Sequence, residues 1–453
     1  MHTHHRFIQM SALALGIAGA LAIGQAQASG FQLKENSVKA MGRAFAGSGV
    51  AEGDASVVVN NPATMTSFEG TTIQSDVTVV DLNAKFEGGG YAGVGFGPAA
   101  TPLTGGDGGN AGDVTPIPAM SIIHKFGNGL TVGAMVSAPF GLKTEYESGW
   151  VGRYSALTSD LKTVDLTLSL AYEIVPDRFS VGAGIVYERA EAELSKAVDF
   201  GSALFANPAT RPLPFARPQA RDGEAVITGD DTGIGYILGV NFRPTDKLAI
   251  GLSHRSEIDH ELQGSADWTV PGDVATIFGS NPSTAPLFRD GNALAKLTTP
   301  SVTSLSVAYQ FNDQLTLMAD YAETDWHSLK EIRIEFANPD PDSVEDFSWG
   351  DTRFWSIGAE YKLSDTFTLR GGYAYDETPT TFATRTPRLP DEDRRWYSIG
   401  LTWNMSEQVE INAGYTRIEP DSPKIGVRES VHALYGEFSS DVNLFGLSGR
   451  YSF

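Results

Sequence analysis

The chain has 453 residues, with 33 lysines and arginines against 55 aspartates and glutamates, a formal charge of −22, and no cysteine. That charge excludes a nucleic-acid partner, which needs a cationic surface, and the missing thiols exclude a disulfide framework or thiolate metal site. Aromatic residues make up 10% and glycines number 49, a composition of strands and turns.

Residues 1–28 read as a secretory leader. Arg6 precedes an apolar run over residues 13–23, and Ala26-Gln27-Ala28 forms a small-x-small cleavage site, so cleavage is expected after Ala28. The run is shorter than the ~20 residues a spanning helix needs. No other apolar run reaches that length, which argues against a helical membrane protein. His2, His4 and His5 fall in this leader.

Residues 29–70 differ from everything that follows. They are rich in small residues, lack sustained alternation and carry Asn60-Asn61-Pro62-Ala63, so they are not expected to form sheet. A compact segment in this place can fold inside a barrel that follows it.

From residue 71 the hydrophobic period is two. Leu130, Val132, Ala134 and Val136 alternate with Thr131, Gly133 and Met135, and Val164, Leu166, Leu168 and Leu170 with Asp165, Thr167 and Ser169. Segments of this kind start near Thr71, Ile117, Leu130, Leu161, Phe179, Gly233, Leu248, Val302, Leu315, Phe354, Phe367, Trp396, Val409 and Asp441. Short turns such as Gly127-Asn128-Gly129 and Pro176-Asp177-Arg178 alternate with long polar stretches at 143–160, 200–228, 265–293, 337–350, 376–393 and 417–436. About 14 antiparallel strands, with short turns at one end and long loops at the other, predict an all-β outer-membrane barrel. Residues 71–453 form it, ending in an aromatic strand that closes at Phe453. A soluble two-sheet protein would alternate too, but would not explain the turn asymmetry or the aromatic terminus.

Other chemistries find little support. His124, His254 and His260 lie on or near strands without a G-x-S-x-G setting, so no enzyme activity is expected. The glycine runs at 93–97 and 105–109 read as loop, because no helix follows to bind a phosphate. The charge run Asp391-Glu392-Asp393-Arg394-Arg395 reads as self-paired and solvated, with cation binding as the alternative. Neither a metal nor a cofactor is expected.

Several ordered motifs resemble the FadL family of outer-membrane long-chain fatty acid transporters. They are Gly30-Phe31-Gln32-Leu33, Met41-Gly42-Arg43-Ala44-Phe45-Ala46-Gly47 and Asn61-Pro62-Ala63, then Trp150-Val151-Gly152-Arg153-Tyr154 and Leu161-Lys162-Thr163. Leu369-Arg370-Gly371-Gly372-Tyr373 and Leu389-Pro390-Asp391-Glu392-Asp393-Arg394 continue the series late in the chain.

The resemblance implies a 14-stranded barrel whose residues 29–70 form a lumenal hatch, with Gly30, Phe31, Arg43, Asn61, Pro62 and Ala63 as its marker positions. It implies uptake of long-chain fatty acids by diffusion, with sideways exit through a kinked third strand. Here that strand holds Ser137, Pro139, Phe140 and Gly141, and a proline and a glycine weaken a ladder. Pro139 could equally just end the spanning part. The resemblance also places a carboxylate-binding cation at Arg189. The second family cation falls at Gly350, with Arg353 the nearest substitute.

Apolar loop segments 202–206 and 274–278, with Phe205 and Phe278, are candidates for an external capture groove, or for the packing of loop helices. Carriers of aromatic or other hydrophobic compounds share the fold and are the first functional alternative; a general porin is the second. The expected partners are the hydrophobic ligand, outer-membrane lipid and lipopolysaccharide, periplasmic chaperones and the barrel assembly machinery. A monomer is expected.

Overall fold

The computed structural model describes residues 30–453; the expected leader lies outside them. A single antiparallel sheet of 14 wall strands closes on itself. In chain order the wall begins with β1 (Thr71–Ala92), β2 (Val114–Lys125), β3 (Leu130–Ser137, resumed at Gly141–Glu145), β4 (Thr158–Val175) and β5 (Phe179–Asp199). It continues with β6 (Asp222–Thr245), β7 (Leu248–Arg255, resumed at Ile258–Thr269), β8 (Gly291–Thr299, resumed at Val302–Gln310) and β9 (Leu315–Thr324). β10 (Thr352–Lys362), β11 (Phe367–Asp376), β12 (Arg394–Asn404), β13 (Val409–Pro420) and β14 (His432–Ser452) complete it. Closure runs from Thr72 opposite Ser452 to Ala92 opposite His432. At the seam Thr71 N–H donates to the Phe453 carbonyl over 2.8 Å, and Phe453 returns a bond of 2.9 Å. Gly70 (φ 60°) turns the chain there, and a Cβ on it would stand 2.5 Å from the Phe453 oxygen.

Alternation decides which face meets lipid. Leu166, Leu168, Leu170, Ile185, Ile234, Leu238, Ile357, Ile399 and Leu447 are exposed large apolar residues on the outside, an arrangement that water would penalise and a bilayer favours. Tyr172, Tyr309, Tyr361, Trp403 and Tyr451 ring the short-turn end, and Tyr187, Tyr321, Trp355 and Tyr397 the other. Among the described residues, no helix is long and apolar enough to cross a membrane.

Several expected loops are in fact strand. β6 starts at Asp222 rather than near Gly233, the eighth strand at Gly291 rather than Val302, and the last at His432 rather than Asp441. In these extensions apolar residues stand side by side, as at Val226-Ile227, Ala293-Leu294 and Leu434-Tyr435, so no clean period-two signal marks them. A hairpin of Glu331–Phe336 and Ser343–Asp346 likewise rises between β9 and β10.

Residues 30–68 occupy the lumen and are mostly buried. They form α1 (Val38–Met41), α2 (Val57–Asn60) and a 3₁₀ turn (Pro62–Ser67). Ser37 caps α1 by accepting from Ala40 N–H at 3.0 Å. Asn61 starts the 3₁₀ turn: its Oδ1 accepts from Ala63 N–H, and its Nδ2 donates to the Gly49 and Val240 carbonyls at 2.9 and 3.0 Å. Pro62 follows where no donor is needed. The segment presses against wall glycines. A Cβ at Gly372 would lie 2.2 Å from Arg43, one at Gly400 2.8 Å from Gly42, and one at Gly239 2.1 Å from Asn61 Oδ1.

Buried charges tie the same segment to the wall. Arg43 is fully buried and donates to the Ala46 and Lys39 carbonyls and to Glu360 at 3.0 Å, with Asp54 3.6 Å away. Lys39 pairs with Glu410 at 3.0 Å. Breaking one side of such a pair strands a buried charge, at a cost of roughly 3–5 kcal/mol.

Candidate functional site

The wall is interrupted at one side. β2 pairs with β1 along its whole length, from Thr71 opposite His124 to Asp81 opposite Val114. Its pairing with β3 covers only Met120 opposite Val136 to Lys125 opposite Thr131. Beyond Ser137 the third strand leaves β2, and past the break β4 is its one wall partner among the described residues, Gly141 opposite Lys162. The result is a window between residues 114–119 and 138–143. Its outer end is bridged by Lys143 and Asp113 at 2.8 Å, and by Glu145 N–H to the Ala111 carbonyl at 3.1 Å. The Lys143 hydrogen bond holds the Asp113 carboxyl below the usual carboxylate range.

Three prolines explain the window. Pro139 sits in the break, while Pro116 and Pro118 stand on the facing stretch of β2. None can donate to a ladder. The pair in β2 was visible in the sequence as Thr115-Pro116-Ile117-Pro118, a signal the strand reading passed over.

The start of the hatch covers the break from inside. Leu33 N–H donates to the Pro139 carbonyl and Gly141 N–H to the Phe31 carbonyl, both at 2.7 Å, around an antiparallel bridge between Gln32 and Phe140. On the wall side, Phe140 N–H donates to Thr163 Oγ1 at 3.1 Å. Phe31 itself packs edge-on against Trp326, ring centres 4.8 Å apart, and also touches Phe140 and Trp349. Gly30 N–H donates to Asp391 Oδ2 at 2.9 Å.

This short segment separates two cavities. On the outer side lies an apolar pocket lined by Phe31, Leu142, Leu161, Leu194, Ile227, Leu262, Leu297, Ile332, Ile334, Phe347, Trp349 and Leu389. Only two charged side chains, Arg388 and Glu345, are among its lining residues. Arg388 is buried, donates to Ser159 Oγ at 3.0 Å and to the Thr158 and Ser195 carbonyls, and pairs with Glu345 at 3.2 Å. Burial raises the Glu345 carboxyl above the usual range, against the pull of Arg388. On the inner side a cavity of mixed polar and apolar lining includes Gln32, Leu33, Lys34, Ser137, Ala138, Pro139, Arg255 and Asp320. It abuts the break directly.

The sequence-predicted ligand residues are not in either cavity. Arg189 is half-exposed on the outward face, in register with Val164 and two residues from Tyr187, and pairs with Glu191 at 2.9 Å and Asp230 at 3.3 Å. Its neighbour Glu188 faces the lumen, buried between Arg255 at 2.8 Å and His260 at 3.0 Å. Arg353 likewise faces out, beside Trp355. Phe278 packs with Phe200 and Phe288 in an apolar cluster joining two loop helices, α3 (Phe200–Ala206) and α4 (Gly272–Gly279). Phe205 stacks near Phe96 at 4.9 Å, with Arg211 over its ring.

The charge run at 391–395 is neither self-paired nor solvated throughout: among the described residues only Asp391 and Arg394 pair within it, and Arg395 reaches Asp421 at 2.8 Å. Asp391 is buried between Arg394, Thr378 and Gly30, while Glu392 pairs with Arg385 and Asp393 with Tyr375.

Comparison with known proteins agrees with this architecture. Outer membrane protein P1 of Haemophilus influenzae is 27% identical over 97% of this chain and 98% of its own length. A long-chain fatty acid transport protein of Escherichia coli is 26% identical with the same coverage. The crystal structure of a Pseudomonas aeruginosa FadL homologue superposes with a TM-score of 0.86 at 27% identity, covering 94% of this chain and all of that one. The Pseudomonas putida toluene transporter TodX shares the fold, with a TM-score of 0.66 at 18% identity, over 94% of this chain and all of that one. The family model for outer membrane protein transport proteins (OMPP1/FadL/TodX) matches residues 19–453, and the chain therefore belongs to that family of outer-membrane transport proteins.

Proposed function

We propose that the protein takes up long-chain fatty acids by diffusion, with Arg388 receiving the carboxylate in the outer pocket. The observation that carries this reading is one buried arginine, with Glu345 beside it, in a pocket whose other lining is almost wholly apolar, one hatch segment away from the break in the wall. Each buried methylene contributes ~0.8 kcal/mol, so a tail of about fifteen gains on the order of 10 kcal/mol on leaving water. A guanidinium in apolar surroundings holds a carboxylate through charge-assisted hydrogen bonds. The relatives named as fatty acid transporters point the same way.

The route runs from the loop cluster around Phe278 to the outer pocket, past a displaced Phe31–Leu33 segment into the inner cavity, and out sideways between β2 and β3. Sideways exit delivers the tail to lipid without returning it to water. No energy source is required beyond the concentration gradient.

The test is complementation of a strain that lacks its own fatty acid transporter, comparing uptake of labelled oleate, toluene and a small sugar. Oleate uptake supports the reading. Toluene uptake without oleate would replace it with an aromatic-compound channel, and sugar leakage would mean that the hatch does not close the lumen.

A further inference from the structure

The outer pocket holds a carboxylate of its own. Glu345 Oε1 lies 3.2 Å from Arg388 Nε, and both side chains line the same apolar cavity. The remaining nitrogens of Arg388 are taken by Ser159 Oγ and the backbone carbonyls of Thr158 and Ser195. A second carboxylate arriving in this pocket finds its best contact on Arg388 already occupied.

We propose that Glu345 is the internal counter-ion of the pocket, standing where a ligand head group binds, and that a fatty carboxylate binds Arg388 by displacing it. This rests on the reading of the outer pocket as a fatty acid site. Three features favour exchange over a fixed pair. Glu345 lies on Ser343–Asp346, a four-residue strand that among the described residues pairs with Glu331–Phe336 alone. A short edge strand of this kind opens locally at low cost. Its side chain keeps a quarter of its surface exposed, against a tenth for Arg388, so Glu345 is the more readily moved of the two. The pocket also cannot hold two carboxylates around one guanidinium without one of them leaving or taking a proton.

Which of the two happens follows from the neighbours. The charged groups facing Glu345 are Arg388, Lys196 on β5 and Glu429 on the strand Lys424–Glu429. Lys196 already pairs with Glu429 at 3.6 Å. A Glu345 moved off Arg388 but still in the pocket beside the bound carboxylate finds no free cation among these groups, and it takes up a proton as the ligand binds. Carboxylate binding is then coupled to proton uptake, and alcohol binding is not. Glu345 makes the empty pocket neutral and selects against weak anionic ligands whose tails bring too little to displace it.

The experiment is calorimetric titration of the full-length protein in lipid nanodiscs with decanoate and with decanol, at about pH 6 and about pH 8. In wild type, decanoate affinity is expected to rise up to tenfold per pH unit as pH falls, with decanol flat. In Glu345→Gln, decanoate is expected to bind about tenfold tighter at the higher pH and to lose that slope, with decanol unchanged. Equal decanoate affinity in both proteins would overturn the proposal and leave the pocket reading intact. Weaker binding of both ligands by the variant would make Glu345 a structural prop, and would also overturn it. If neither ligand binds wild type, the reading of the pocket itself fails.

Discussion

The amide of Gly30 donates to the Asp391 carboxylate over 2.9 Å, joining the start of the hatch to a residue 361 positions later in the chain. The same carboxylate holds Arg394 and Thr378, and Leu389, two residues before it, lines the outer pocket. One buried anion therefore fixes both the segment that covers the wall break and the loop that supplies the head-group arginine.

Asp391→Ala is expected to free Gly30 and leave Arg394 buried without its counter-ion. The cost is roughly 3–5 kcal/mol. Hydrogen exchange read by mass spectrometry should show faster labelling over residues 30–33 than in wild type. Unchanged protection there would mean that the Phe31–Leu33 bridge to the third strand holds the segment alone.

Arg388→Met should weaken decanoate binding by about ten- to a hundredfold, the worth of hydrogen bonds to a charged group, and leave decanol within about twofold. Arg189→Ala should change neither, because its side chain lies on the outward face beside Glu191 and Asp230. Binding isotherms for the four protein–ligand pairs decide it. Loss of carboxylate binding in Arg189→Ala would place the head group elsewhere.

These two arginines show how much was legible in the sequence. The strand count and closure at Phe453 followed from period-two alternation and from the family motifs. Facing was harder: a register difference of one residue turns a side chain from lumen to lipid, and Glu188-Arg189 reads either way until its neighbours are fixed. Arg388 gave no signal at all. It lies in an irregular loop, and its pocket is assembled from β4, β5, β6, β7, β8 and the 331–346 hairpin, which no local pattern brings together. The wall opening was half legible: Pro139 marked it, but Pro116 and Pro118 on the opposite edge complete it.

Gly372→Val should push the hatch off its seat. A Cβ there would already meet Arg43 at 2.2 Å, and overpacking of this kind costs roughly 1–3 kcal/mol. In planar bilayers the variant is expected to show ion current above the wild-type level. Identical conductance would mean that the glycine contacts do not hold the lumen shut.

The pH dependence of stability has a defined sign at Glu345. Burial raises its carboxyl in the folded protein, so its contribution is complete below the unfolded value of about 4.3 and is lost as pH rises through the raised value. Glu345→Gln should therefore lose less thermal stability than wild type as pH rises above about 4. Parallel melting curves across that range would contradict the assignment.

The most direct test of the transport route uses the bridge between Gln32 and Phe140. Opposed residues of an antiparallel pair lie about 4.5–5.5 Å apart at Cα, within disulfide reach, and the native chain has no cysteine to interfere. Oleate uptake is measured in transporter-deficient cells carrying Gln32→Cys/Phe140→Cys, oxidised and then reduced. The account predicts uptake abolished by oxidation and restored by reductant, since the locked segment keeps the outer pocket from the wall opening. Uptake at the wild-type rate with the disulfide formed would show that fatty acids do not pass between Phe31–Leu33 and the break in the third strand.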